Sequence, residues 1–162
     1  MDKTLVKRII YEKKIIINHD PITINQTNYI IKQLKESVCK VKIQNTEATG
    51  FFCKINYKNK YLPVLITSEH SFCTKDNKNI LENMIKTNDK IELTINNGEK
   101  KKEINFRHKR KIYTNQIYDT TIIEILPDID KINNYLSLDE EINDISNNYD
   151  GNSIYTLQYP DG

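Results

Sequence analysis

Apolar residues along this chain come in short blocks, and only one stretch repeats them at helical spacing. Between residues 27 and 37, Tyr29, Ile30, Ile31 and Leu34 gather on one side while Lys32, Gln33, Lys35 and Glu36 occupy the other, which predicts a short amphipathic helix. From residue 38 the blocks have strand length and are rich in β-branched and aromatic residues: 38–44, 49–57, 61–67, 90–96, 103–113 and 120–126. Asn96-Asn97-Gly98 predicts a tight hairpin between the fourth and fifth blocks, because Asn and Gly tolerate positive φ. Six antiparallel strands suit a small closed barrel, which hides its edges. Pro127 ends the sixth block, and the acidic, Asn-rich residues 128–152 read as a linker in which Tyr135-Leu136-Ser137-Leu138 packs against the barrel. The expected organisation is an N-terminal extension and helix over 1–37, a barrel over 38–127, the linker over 128–152, and a further strand starting at 153–162.

Composition narrows this picture. A hydrophobic fraction of 38% against 28% charged residues implies a small core for 162 residues. Ile, Asn and Lys are abundant, with four Gly, four Pro and no Trp, which looks like an AT-rich coding bias and makes Asn a weak turn marker and Lys a weak functional marker. A net charge of +2 is too mild to demand nucleic acid or an anionic membrane as partner. The basic runs Lys100-Lys101-Lys102 and Arg107-His108-Lys109-Arg110-Lys111 carry no interleaved aromatic platform, so a solvated hairpin is expected there, and the acidic run Asp139-Glu140-Glu141 suits a polar linker. Ile9-Ile10 is followed by Tyr11-Glu12-Lys13-Lys14, so no secretory apolar region forms, and no apolar run is long enough to span a membrane; a cytoplasmic location is expected. Cys39, Cys53 and Cys73 cannot all pair with one another, and a reducing setting argues against stable disulfides. Cys39 and Cys53 read as buried apolar residues. A zinc site from the three cysteines and His70 lacks the paired short spacing of zinc modules, so no metal is expected.

The chemistry concentrates at two strand ends. Pro63-Val64-Leu65-Ile66-Thr67 delivers His70, and Asp119 precedes Ile122-Ile123-Glu124-Ile125-Leu126. A histidine alone after a strand is usually a loop residue, and an aspartate alone before one is usually a turn or cap residue. Paired on stiff supports, they are the base and the orienter of a triad: the carboxylate fixes the imidazole tautomer so that the other ring nitrogen faces a nucleophile. The third member is missing, since no glycine-flanked serine follows Asp119.

Four segments in this order resemble the trypsin-like peptidases, the two-barrel superfamily of chymotrypsin-like and bacterial high-temperature-requirement-type proteases. They are Ala48-Thr49-Gly50-Phe51-Phe52, Ile66-Thr67-Ser68-Glu69-His70, Tyr118-Asp119-Thr120-Thr121-Ile122-Ile123, and Ile154-Tyr155-Thr156-Leu157-Gln158-Tyr159-Pro160-Asp161-Gly162. Ala48 stands where the family usually has glycine, Thr120 replaces an apolar residue, and Ser71 follows the histidine where Cys or Val is common. The resemblance implies an all-β fold: a six-stranded antiparallel trypsin-like barrel preceded by a short helix, with the first strand of a second barrel at the C-terminus. It implies a serine endopeptidase with His70 and Asp119 as catalytic residues, a polypeptide substrate and no cofactor. The nucleophile, the oxyanion hole and the specificity pocket would lie beyond Gly162, leaving the 162-residue chain inactive. It also implies hydroxyl support of the strand end by Thr67 and Ser68 and self-association through the barrel face that a second barrel would cover; Cys53 and Cys73 are placed loosely like the disulfide that braces the histidine loop in secreted relatives, but a reducing setting argues against that bridge here. Two other readings stand beside it: a non-catalytic trypsin-like binding module or decayed remnant, and a nucleic-acid-binding β-domain using residues 100–111.

Overall fold

The computed structural model describes residues 22–73, 79–96, 98–139 and 155–159. The N-terminal extension up to residue 21, the linker beyond residue 139 and the Pro160-Asp161-Gly162 turn lie outside the described residues. Helix α1 (Ile24–Ser37) starts three residues before the apolar period because Thr23 and Gln26 close a reciprocal capping box. It ends where Val38 turns extended and enters the sheet. The helix lies against the sheet with Ile30 and Leu34 half-buried and Ile24 and Tyr29 exposed, so it is a peripheral element.

The rest is one antiparallel sheet built from β1 (Val38–Ile43), β2 (Thr46–Tyr57), β3 (Lys60–Thr67), β4 (Lys90–Ile95), β5 (Lys100–Asn105), β6 (Ile112–Asn115) and β7 (Thr120–Glu124). Seven strands stand where six apolar blocks are legible, since the expected run over 103–113 splits in two. Residues 106–111 leave the strand direction: Asn105 Oδ1 accepts from the Arg107 N–H at 2.9 Å, and Phe106 N–H bonds Asp89 O at 2.9 Å. The hydrogen-bonded order is β5-β4-β1-β2-β3-β7-β6, an open sheet whose two edge strands are consecutive in the chain. Laid flat, seven strands would put the outer pair about 29 Å apart. Residues 106–111 reach at most about 25 Å even when extended, so the sheet is curled. One guanidinium closes the gap: Arg110 donates to Asn105 O at the end of β5 (3.2 Å) and to Glu124 O at the end of β7 (3.0 Å). Its remaining donors form a bidentate pair with Asp130 at 2.7 and 2.8 Å, both side chains being essentially inaccessible to water. Asp130 in turn accepts from the N–H of Leu126, the residue that leads into the short helix α3 (Pro127–Asp130).

Alternation along the strands turns Cys39, Val41, Ile43, Phe52, Leu65, Ile91, Leu93, Ile104 and Ile123 inward. Phe72 and the helix α2 (Leu81–Lys86), through Leu81 and Met84, complete this core. Gly50 sits opposite both Cys39 and Thr67, where a Cβ would stand 2.6 Å from Val41 Cγ2 and 2.8 Å from Leu65 Cδ1; close strand packing requires glycine here. The β4–β5 turn has Asn96 and Gly98 at φ 55° and 101°, as the Asn-Gly signal predicts. β2 outlasts β1, and its Phe52 carbonyl takes Leu136 N–H at 2.7 Å, so the segment after α3 does lie on the sheet. Residues 155–159 run outside the strands, with Tyr159 N–H bonded to Thr49 Oγ1 at 3.0 Å. The expected terminal strand is therefore not formed over its described part, 155–159. Among the described residues no helix is long and apolar enough to cross a membrane.

Candidate active site at the ends of β3 and β7

After Thr67 the chain leaves β3 and tightens into a 3-10 turn, His70–Phe72. Phe72 is wholly buried and Ser71 nearly so, which anchors the turn and leaves the His70 ring facing outward. Phe72 N–H bonds Glu69 O at 2.9 Å and Cys73 N–H bonds His70 O at 3.0 Å. Thr67 Oγ1 donates to Thr49 O at 3.0 Å, and the Ser68 and Ser71 hydroxyls bond each other, so Thr67 supports the strand end through a backbone bond and Ser68 through a neighbouring hydroxyl.

Asp119 closes the β6–β7 hairpin. Tyr118 N–H bonds Asn115 Oδ1 at 3.0 Å, and Asp119 takes a left-handed conformation, φ 46°, which short polar side chains tolerate. That turn aims its carboxylate at the neighbouring strand end. Asp119 Oδ2 lies 2.7 Å from His70 Nδ1, and Oδ1 accepts from the His70 backbone N–H at 2.9 Å. With a carboxylate opposite it, Nδ1 carries the proton, which leaves Nε2 as the basic nitrogen of the neutral ring. Both side chains are largely exposed, at 72% for His70 and 49% for Asp119. Partial desolvation pushes the Asp119 carboxyl up, but hydrogen bonds from the His70 N–H and ring, the imidazole charge and the Glu69 N–H outweigh it and hold the group below the ordinary carboxyl range.

The two sequence-predicted site residues are thus brought together. No hydroxyl or thiol is bonded to Nε2 among the described residues. Two clefts, one of about 620 Å³ between α1 and residues 133–138 and one of about 680 Å³ over the β1, β4 and β5 face, lie away from the pair. Ile117 and Tyr118, beside Asp119, stand out at 90% and 77% exposure. Cys39, Cys53 and Cys73 are all free, so the Cys53–Cys73 bridge is not formed. Burial raises the Cys53 thiol to about 11 and pushes Cys39 higher still, which keeps both protonated. No group of metal-ligating side chains is assembled among the described residues. Within the basic runs Lys111 meets Glu124, and Arg110 is a buried structural residue rather than part of a solvated run. Sequence reasoning passed over Glu69, which is buried beside His70 and whose only sequence signal is its place between the strand and the histidine. No protein-family model, curated protein or solved structure matches this chain.

Proposed function

We propose that this chain is the N-terminal, barrel-forming half of a trypsin-like serine endopeptidase and supplies the general base and its orienter. The observation that carries the reading is the double grip of Asp119 on His70, one oxygen on the ring Nδ1 and the other on the backbone N–H. With its backbone N–H and its ring Nδ1 on the same carboxylate, the residue is held in one place and the ring in one tautomer, which a general base requires and a chance surface ion pair does not provide. In this reading Nε2 takes the proton of a serine supplied by a second barrel and returns it to the leaving amine, while Asp119 stabilises the imidazolium in between. The curl that ties β5 and β7 to Arg110 supports a closed barrel, and the exposed Ile117 and Tyr118 suit the side against which a second barrel, or a second copy, would pack. The substrate is polypeptide, the setting is the cytoplasm, and neither cofactor, nucleic acid nor membrane takes part.

The lack of a nucleophile at Nε2 among the described residues favours a second reading, a non-catalytic trypsin-like binding module. Kinetics separates the two. In the polypeptide that joins this chain to its serine, His70→Ala removes nearly all turnover of a peptide substrate and Asp119→Asn lowers kcat/KM by about 10⁴, because an amide permits the wrong tautomer. Wild-type activity in both variants would sink the endopeptidase reading. Residues 1–162 alone should leave casein uncut and take no fluorophosphonate label; labelling abolished by His70→Ala would locate a nucleophile within them.

A further inference from the structure

We propose that Glu69, held by Asn79 and Cys73, is a positioning residue that fixes the His70 backbone N–H gripping Asp119; the proposal rests on the His70–Asp119 reading above. Glu69 is 5% exposed and one of two buried carboxylates among the described residues. The other, Asp130, has Arg110, whereas Glu69 meets no cation there and is satisfied by neutral donors. Asn79 Nδ2 donates to Oε1 at 2.6 Å, and the Cys73 sulfur stands 3.7 Å from both carboxylate oxygens. Burial, followed by the adjacent Glu69 charge, raises the Cys73 thiol above its ordinary value and keeps it a donor. Asn79 is itself fixed, its Oδ1 accepting from the Leu81 N–H at the start of α2 at 2.9 Å.

Glu69 therefore ties the site to two further elements. Its carbonyl accepts from Phe72 in the 3-10 turn and its carboxylate reaches α2 through Asn79, while the next N–H along, that of His70, bonds Asp119. With the side chain pinned on the buried side, the following N–H, that of His70, points outward to the Asp119 carboxylate. A free loop would have to pay the ordering entropy of this peptide unit at each encounter with Asp119.

Amide hydrogen exchange of the intact chain tests the proposal. The His70 N–H sits in an exposed residue and is protected through its bond to Asp119, so its protection relative to the β3 amides reports positioning apart from global stability. Glu69→Ala and Asn79→Ala should each lower that relative protection about tenfold or more, the factor matching one hydrogen bond of ordinary worth. Glu69→Gln, which keeps the acceptor for Asn79, should restore it. A purely structural role would weaken all sheet amides together and leave the ratio unchanged, and an unchanged ratio in Asn79→Ala would overturn the proposal even if Glu69→Ala fails to fold. Asp119→Ala is the control: if it leaves the His70 N–H as protected as before, the His70–Asp119 pair itself is absent and the brace falls with it.

Discussion

Replacing Arg110 with methionine should be among the most damaging single substitutions in the chain. The guanidinium makes four hydrogen bonds, to Asn105 O, Glu124 O and both Asp130 oxygens, and it is the link between the end of β5 and the end of β7. Methionine keeps the apolar stem, so the change isolates the charged head. What remains is an Asp130 carboxylate with 1% of its side chain accessible and, among the described residues, the Leu126 N–H as its donor. Breaking a buried pair from one side costs about 3–5 kcal/mol, a large share of the roughly 5–15 kcal/mol available to a domain of this size. The assay is urea unfolding followed by far-UV circular dichroism, with the loss read as a lower midpoint at unchanged slope. The double variant Arg110→Met with Asp130→Leu should lose less than Arg110→Met alone, since no charge is left buried. A cost below about 1 kcal/mol, the range of exposed ion pairs, would show that the curl of the sheet is not held at Arg110.

Gly50→Ala should cost about 1–3 kcal/mol by overpacking, since the added methyl meets Val41, Leu65 and the Ile66 carbonyl; a melting temperature within a degree of wild type would contradict the close approach of β1, β2 and β3. The Asp119 carboxyl is held below its ordinary value in the folded chain, so its contribution to stability is present above the unfolded value of about 3.9 and lost as pH falls through the folded value. Because both partners are largely exposed, Asp119→Asn should lower stability near pH 6 by no more than about 1 kcal/mol, with the difference shrinking towards pH 3. A deficit that grows on acidification would reverse the sign of the argument.

Local signals carried much of the sheet, and tertiary ones were hidden. The short β-branched apolar blocks at 38–44, 61–67 and 120–126 located β1, β3 and β7, and the Asn-Gly turn located the β4–β5 hairpin, because each signal depends on neighbours a few residues away. The Thr23-x-x-Gln26 box was equally local but sat outside the apolar period, so the helix began earlier than expected. The break at residues 106–111 was not legible: the strand-like pattern runs through it, and the reason for the bend is Asp130, twenty residues on, drawing Arg110 inward. α2 spans less than two turns, too short for a period to register, although Leu81 and Met84 both enter the core. At the site, His70 and Asp119 could be paired from strand-end placement alone. Glu69 could not be found this way, since an acid in a loop reads as solvated until Phe72 and Ser71 are seen to pull the turn under the surface.

The account stands on the orientation of one imidazole, and ¹H–¹⁵N NMR of the His70 ring reads it directly. Near neutral pH the unprotonated ring should be the Nδ1–H tautomer, with a low-field, slowly exchanging Nδ1 proton that disappears in Asp119→Ala while the dispersed sheet amides persist. A wild-type ring found as the Nε2–H tautomer, with no protected Nδ1 proton and no response to Asp119→Ala, would contradict the base-and-orienter assignment.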